Sequence, residues 1–432
     1  MCLEPLPEQH PPADLAALQL QRLQQTVARC HAALPQYRQR CRALGVQPAD
    51  LQSLQDLARF PLTSKQDLRA DYPFAGLTVP RSSLVRVHSS SALQGRPTLM
   101  GFNAHDLALW GQVMRRSLVA AGVRAGDLIH IAYPYGMNAS GLGVHAGAEA
   151  LGCTVLPMSG GRSLMQAQML VDLRPRVIVA TPSYLQTLFD ALRDIGSDPR
   201  QVGLELALLG GEPWTPAQRD RIETEGGVRS FELYGVSELI GPGIAVETAD
   251  EPGAARIWED QFLAEIIDPA TGVPLPDHPV HGTGIGELVL TTLGLQAQPL
   301  LRFRTHDLTR LMPAGPSGFR RMARIVGRSD DQMVVRGLKF SPADIEALLV
   351  KDAALSATFR LQLSRPKTMD EVRLEVELGD AREIWNSEAI ATRTAQRIRN
   401  LMGLRCTVAV LNPGALKREA DGQVQRVIDK RF

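Results

Sequence analysis

Leu204-Glu205-Leu206-Ala207-Leu208-Leu209-Gly210-Gly211-Glu212-Pro213-Trp214 is the stretch on which the reading of the fold turns. A short apolar run that stops at two glycines is too brief for an ordinary helix and reads as a buried strand. Glycines at the carboxyl end of such a strand let a ligand approach the backbone, and open parallel sheets bind ligands at that end. The same residues also make a simple strand-to-helix turn. Working outward, the apolar runs 128–133, 177–180 and 231–234 repeat the pattern between helical stretches, which predicts a mostly parallel α/β sheet. Residues 262–268 and 286–293 are β-rich without an intervening helix and predict a distorted barrel or an antiparallel subdomain.

Toward the N-terminus, Leu15, Leu18, Leu20, Leu23, Val27 and Cys30 recur mostly at three- and four-residue spacings, predicting an amphipathic helix over 14–33. Toward the C-terminus a break falls near Gly327–Asp331. Beyond it Ser341-Pro342 opens a helix through Val350, with Ser as cap and Pro in the first turn. Strand-like runs at 358–363 and 372–378, a helix around 382–402 and a strand at 407–411 complete a small α+β unit. The expected organisation is therefore a large domain over 1–328 and a small one over 329–432.

The 432 residues exceed what one core usually serves, which agrees with that division. A formal charge of +1, with the basic residues spread along the chain, argues against a nucleic-acid or anionic-membrane surface. The cysteines Cys2, Cys30, Cys41, Cys153 and Cys406 show neither a CxxC pair nor a zinc-like spacing with histidine. The polar N-terminus lacks the pattern of a secretion signal, and no run reaches the ~18 apolar residues of a membrane span. A cytoplasmic globular protein is the expectation.

Several polar segments could carry chemistry. His88-Ser89-Ser90-Ser91-Ala92-Leu93-Gln94-Gly95-Arg96 offers hydroxyls, a glycine and a cation that could hold phosphate oxygens, or is a plain loop. Tyr234-Gly235-Val236-Ser237-Glu238, just past a strand, places a hydroxyl and a carboxylate where Mg²⁺ and phosphates could bind, or is a capped turn. In Arg302-Phe303-Arg304-Thr305-His306-Asp307, the Asp could accept a ribose diol, or the charges form a surface salt-bridge ladder. Gly327-Arg328-Ser329-Asp330-Asp331 lies on the domain boundary and reads as a linker.

In this order and at these separations the segments resemble the adenylate-forming acyl-CoA synthetases, and most closely the phenylacetate-CoA ligase family. The likeness runs from Leu34-Pro35-Gln36-Tyr37-Arg38 and Phe60-Pro61-Leu62-Thr63-Ser64-Lys65 to Val427-Ile428-Asp429. It is most specific at Tyr133-Pro134-Tyr135-Gly136, Gly141-Leu142-Gly143-Val144-His145, Trp258-Glu259-Asp260 and Arg324–Asp331. The resemblance implies ATP, Mg²⁺ and coenzyme A. A carboxylic acid, expected to be aromatic, attacks the α-phosphate, and a thiol then displaces AMP. It assigns Ser89, Ser90, Ser91 and Gly95 to the phosphate loop and Gly211, Glu212 and Pro213 to the adenine side. Tyr234 becomes the stacking aromatic, with Gly235 and Ser237 beside it and Glu238 as Mg²⁺ ligand. Asp307 and Arg328 become ribose contacts, and Asp330 the hinge of a mobile small domain. Tyr135, Gly136, Met137, Ala146, Ala148, Ile240, Gly241 and Pro242 become the acyl pocket. Ala146 stands where relatives often carry tyrosine. A homodimer is also implied.

Two departures matter. The family's loop Ser-Ser-Gly-Thr-Thr-Gly-Lys reads Ser90-Ser91-Ala92-Leu93-Gln94-Gly95-Arg96 here, losing a glycine and both threonines. The family's Gly-Lys-Ala-x-Arg reads Gly422-Gln423-Val424-Gln425-Arg426, with Gln423 in place of the catalytic lysine. Lys417 is nearby but out of register. One lost transition-state donor typically costs about 10²–10³ in rate. Two readings therefore stand: a ligase passing an activated acid to coenzyme A or another nucleophile, or a non-adenylating relative. The latter would bind acyl-adenylate or acyl thioester, or serve as a partner protein for another enzyme; besides coenzyme A, a carrier or partner enzyme is the other partner considered.

Overall fold

The structure is a computed structural model that describes residues 9–70, 72–74, 76–90, 97–137, 139–212, 214, 216–275, 284–330, 333–352, 354–379, 385–417 and 424–431. The chain divides between Ser329 and Asp330 into two main units, each with its own apolar core.

The larger unit is built on a nine-stranded sheet. The strands Arg229–Val236, Leu206–Leu209, Val177–Ala180, Leu128–Ile131 and Thr154–Pro157 lie side by side in that order, all parallel. Val177–Ala180 and Leu206–Leu209 are buried along their whole length, which is why they are written entirely in apolar residues. The sheet then turns antiparallel. Arg229–Val236 pairs with Gly241–Thr248, and that strand with Glu251–Ile257.

A second, four-stranded sheet takes Phe262–Ile267, Gly286–Thr292, Phe303–Thr309 and Gly327–Arg328 in order, all antiparallel. Of the two expectations, the antiparallel subdomain is what the structure shows; the distorted barrel is not, since among the described residues Phe262–Ile267 and Gly327–Arg328 remain the unjoined edges of the sheet. Four strands are also well short of the eight or so of small closed barrels. The N-terminal helix Leu15–Ala33 starts where Asp14 accepts from the Ala17 N–H at 3.0 Å, and it buries Leu23, Val27 and Cys30. Those residues pack with Tyr37, Cys41, Phe60, Leu263 and Leu301, so the N-terminal segment is clamped to the second sheet.

The smaller unit has one mixed sheet in the order Thr407–Leu411, Glu371–Leu378, Leu355–Ser364, Val427–Asp429. The helix Pro342–Leu349 has its Ser341 cap in a reciprocal box with Asp344, and Ser387–Met402 is the second helix. Phe340, Ile345, Phe359, Leu361, Leu374 and Ile398 form its core. Among the described residues no helix is long and apolar enough to cross a membrane.

Candidate nucleotide and acyl site

The hairpin of Arg229–Val236 and Gly241–Thr248 determines where the first group of side chains lies. Its strands cross so closely that a Cβ on Gly235 would fall 1.9 Å from the Gly241 oxygen, so no larger residue fits there. The turn between them, 237–240, holds Ser237, Glu238 and Ile240. Glu238 is buried, and Lys65 Nζ lies 3.1 Å from its Oε1 as an ion pair rather than a well-aligned hydrogen bond.

Lys65 was given no role by the linear sequence, and its placement is a tertiary matter. The Thr63 N–H donates to the Arg302 oxygen and the Arg304 N–H to the Thr63 oxygen, both at 2.9 Å, docking this segment beside Phe303–Thr309. Ser64 and Asp67 then cap the short helix Lys65–Ala70, which begins at the lysine. The one linear signal was a Thr-Ser-Lys ahead of a helix start, which does not reveal a partner so distant in sequence.

Asp307, Arg328 and Tyr234 also converge. The register places Asp307 opposite Arg328, whose guanidinium donates to Oδ1. The Tyr234 hydroxyl donates to Oδ2 at 2.7 Å. Each carboxylate oxygen keeps lone-pair capacity, so the group can still accept from a diol. Burial first, and then the Asp307 charge, hold the Tyr234 phenol far above its ordinary range, so it stays a donor.

The neighbouring arginines do not form a surface ladder. Arg302 is buried and donates to the Ala58 and Phe60 oxygens, pairing with Glu265. Arg304 pairs with fully buried Glu287, which also accepts from Ser329 Oγ at 2.9 Å. His306 Nδ1 lies 3.4 Å from Glu287. Burial alone would raise Glu287, but hydrogen bonds from His306, Arg304 and Ser329, with the His306 charge, hold it down at about 2. This cluster fixes Ser329, the last residue before the division between units. Asp330 begins the smaller unit.

Gly211 and Glu212 follow the Leu206–Leu209 strand, with Glu212 buried. Trp214 behind them is covered by the guanidinium groups of Arg219 and Arg324, 4.7 and 5.3 Å from its ring centre. On the phosphate-loop side, the Ser89 N–H donates to the Met137 oxygen at 2.9 Å and the Ser90 N–H to the Thr98 oxygen at 3.0 Å. Ser90 Oγ is buried and has no hydrogen-bond partner among the described residues. The expectations for Ser91, Gly95, Pro213 and Gln423, like those for Ala92, Leu93, Gln94 and Arg96, lie outside the described residues.

Of the expected acyl wall, Tyr135 is half-buried, while Gly136 and Met137 are exposed in the loop after Leu128–Ile131. The Tyr135 N–H donates to Ser159 Oγ at 3.3 Å. The loop carrying Ser159 is tied down by Gln166, whose amide donates to the Ser159 and Gly161 oxygens at 2.8 and 2.7 Å. Ala146 and Ala148 lie on the helix Ala139–Leu151. Ala148 is fully buried, and Ala146 faces Gly111 of the helix Ala104–Ala120, where both small residues allow close crossing. Ile240 is buried, and the Pro242 oxygen accepts from Trp110 Nε1 at 3.2 Å.

A sheet with its ligand-facing turns, a small α+β unit and this set of side chains define the class of the adenylate-forming enzymes. Residues 337–431 match the AMP-binding enzyme C-terminal domain. A solved 2-hydroxyisobutyryl-CoA ligase in complex with 2-HIB-AMP and CoA superposes with a TM-score of 0.91 at 30% identity, covering 98% of this chain and 91% of that one. The phenylacetate-coenzyme A ligase of Aromatoleum evansii is 43% identical over 99% of this chain and 97% of its own. That of Escherichia coli strain K12 is 41% identical over 97% and 95%. The chain belongs to the phenylacetate-coenzyme A ligase family.

Proposed function

We propose that this protein activates a carboxylic acid as its acyl adenylate and transfers the acyl group to coenzyme A. The observation that carries the reading is the Lys65–Glu238 pair, in which a cation at the start of the helix Lys65–Ala70 stands 3.1 Å from a carboxylate buried in the turn 237–240. Adenylation needs charge neutralised on the phosphates as they are displaced, and a preorganised cation provides that without reorganisation. Lys65 thus gives the site a cation although Gln423 stands at the usual lysine position. This favours the ligase over the non-adenylating reading.

The donor chemistry fits Mg²⁺. The ion is commonly held by one or two carboxylates together with substrate phosphates and water, and Glu238 is such a carboxylate. When bound it would neutralise phosphate charge. Asp307 and Arg328 orient the ribose, Gly211, Glu212 and Pro213 flank the adenine, and Tyr234 stacks on it. Ser89, Ser90, Ser91 and Gly95 donate to the phosphates, and Asp330 serves as the hinge between half-reactions. Tyr135, Gly136, Met137, Ala146, Ala148, Ile240, Gly241 and Pro242 bound the acid, which we read as aromatic. Free thiols at Cys30, Cys41, Cys153 and Cys406 suit the cytoplasm, where ATP and coenzyme A are found. The expected homodimer would show as twice the chain mass in sedimentation.

The test is acid-dependent exchange of pyrophosphate into ATP over a panel of aryl and short-chain acids, with and without Mg²⁺. Exchange with at least one acid is expected. Tight binding of a synthetic acyl-adenylate with no exchange for any acid would transfer the assignment to the non-adenylating reading.

A further inference from the structure

Two neighbouring donors of one strand meet the same backbone oxygen. The strand Arg86–Ser89 pairs antiparallel with Leu99–Phe102, with His88 opposite Met100. At its end the Ser89 N–H donates to the Met137 oxygen at 2.9 Å, and His88 Nδ1 lies 3.2 Å from that same oxygen. A carbonyl oxygen has two lone pairs and no proton, so Nδ1 carries the hydrogen and both lone pairs are taken. The backbone oxygen itself therefore decides the His88 tautomer.

The ring is buried in an apolar cage, edge to face with Phe102 and with Trp110 at 5.6 Å each. Its other nitrogen, Nε2, is buried and has no hydrogen-bond partner among the described residues. Leaving a buried acceptor unpaired is unfavourable. A leucine or phenylalanine would line such a cage without that loss, so what the imidazole adds here is the Nδ1 bond alone. Burial first, and the Arg86 charge with it, push the His88 pKa down against the pull of the Met137 bond, so the ring is neutral at neutral pH.

The two ends of this junction belong to different halves of the site. Ser89 and Ser90 lead into the phosphate loop, and the Ser90 N–H is held in turn by the Thr98 oxygen at 3.0 Å. Met137 follows Tyr135 and Gly136 in the loop after Leu128–Ile131. A ligand that orders one of these segments also steadies the other through the shared oxygen, and a second ligand then has less motion left to remove. Resting on the reading of Ser89 and Ser90 as phosphate donors and of Met137 as part of the acid wall, we propose that His88 is a positioning residue that couples the two substrates: through its bond to Met137, acid and nucleotide each strengthen the binding of the other. Buried as it is, His88 acts through Met137 rather than on either ligand.

The experiment measures that coupling directly, on the full chain with Mg²⁺ present. The nucleotide probe is the α,β-methylene analogue of ATP, whose bridge is not cleaved. The acid probe is phenylacetate, or the acid of the exchange panel that binds most tightly. Calorimetry gives the Kd of the acid with and without saturating nucleotide, and their ratio is the coupling factor, which must be the same in the reverse titration. Direct repulsion between carboxylate and phosphates is common to all variants and drops out of the comparison. His88→Leu should lower the factor about three- to tenfold, the worth of one hydrogen bond. His88→Asn, whose amide N–H stands near the place of Nδ1, should keep the factor close to the unmodified value. Where His88→Leu fails to fold, His88→Gln takes its place, since its amide lies one bond further out, at the place of Nε2. A merely structural role would weaken the ligands singly and leave the factor standing, which would overturn the proposal. An equal loss in His88→Asn would overturn it too, because the ring and not its donor would then matter. If no acid of the panel or no nucleotide binds the unmodified protein, the ligase reading fails and this proposal with it; an unchanged factor with both ligands bound sinks the proposal alone.

Discussion

Lys65→Met is the perturbation that tests most of the site at once. The lysine nitrogen stands 3.1 Å from Glu238, with the lysine side chain 18% exposed and the glutamate 2%. A unit-charge pair at that distance is worth about 5 kcal/mol at an effective dielectric of about 20. Removing one partner of a buried pair typically costs about 3–5 kcal/mol, because the other charge is left without compensation. The partial exposure of Lys65 places the expected loss of stability near the lower end, about 3 kcal/mol. Glu238 can also recover part of this by taking up a proton. The double variant Lys65→Met with Glu238→Gln should recover most of that stability, since no lone buried charge remains.

Catalysis should behave differently. If the lysine neutralises phosphate charge, both variants should lose about 10²–10³ in pyrophosphate exchange, while Lys65→Arg retains the charge and part of the rate. Chemical denaturation gives the stability and exchange gives the rate, on the same preparations. Exchange within about threefold of the unmodified protein in Lys65→Met would refute the catalytic part of the reasoning, whatever happens to stability.

Gln423→Lys should raise the exchange rate by up to about 10²–10³ and leave thiol transfer from supplied acyl-adenylate little changed. Equal effects on both half-reactions would remove Gln423 from adenylation. Glu287 is held at about 2 against an ordinary 4.5, so its contribution is full above about pH 4.5 and is lost as pH falls toward 2. Glu287→Gln should therefore cost about 3 kcal/mol at pH 7 and flatten the stability profile across that acid window, measured by denaturant titration at stepped pH. An unchanged acid limb would mean that other carboxylates dominate it.

The sequence by itself determined the elements whose patterns are local. Val177–Ala180 and Leu206–Leu209 are all apolar because both faces are covered, and that is visible in a window of a few residues. The helix Pro342–Leu349 announced itself by a Ser-Pro start with Asp344 at the third position. The order of the polar segments was enough to carry the family, because those segments follow one another along the chain.

The tertiary structure alone decided what depends on meeting across the chain. That the β-rich segment is an open sheet of four strands, with Phe262–Ile267 and Gly327–Arg328 at its edges, depends on which strands meet and is not written in composition. Lys65 finds Glu238 only because Thr63 docks beside Phe303–Thr309, and no local pattern encodes that contact. The arginines around Asp307 read as a surface ladder until Glu265 and Glu287 are brought under them, which makes Arg302 a buried anchor and ties the partly exposed Arg304 to a buried carboxylate. Tyr135 was expected as a wall residue by resemblance. That its hydroxyl meets His145, which in turn meets Glu149, follows from those two residues standing on one helical stripe beside it, a distance that a linear reading does not contain.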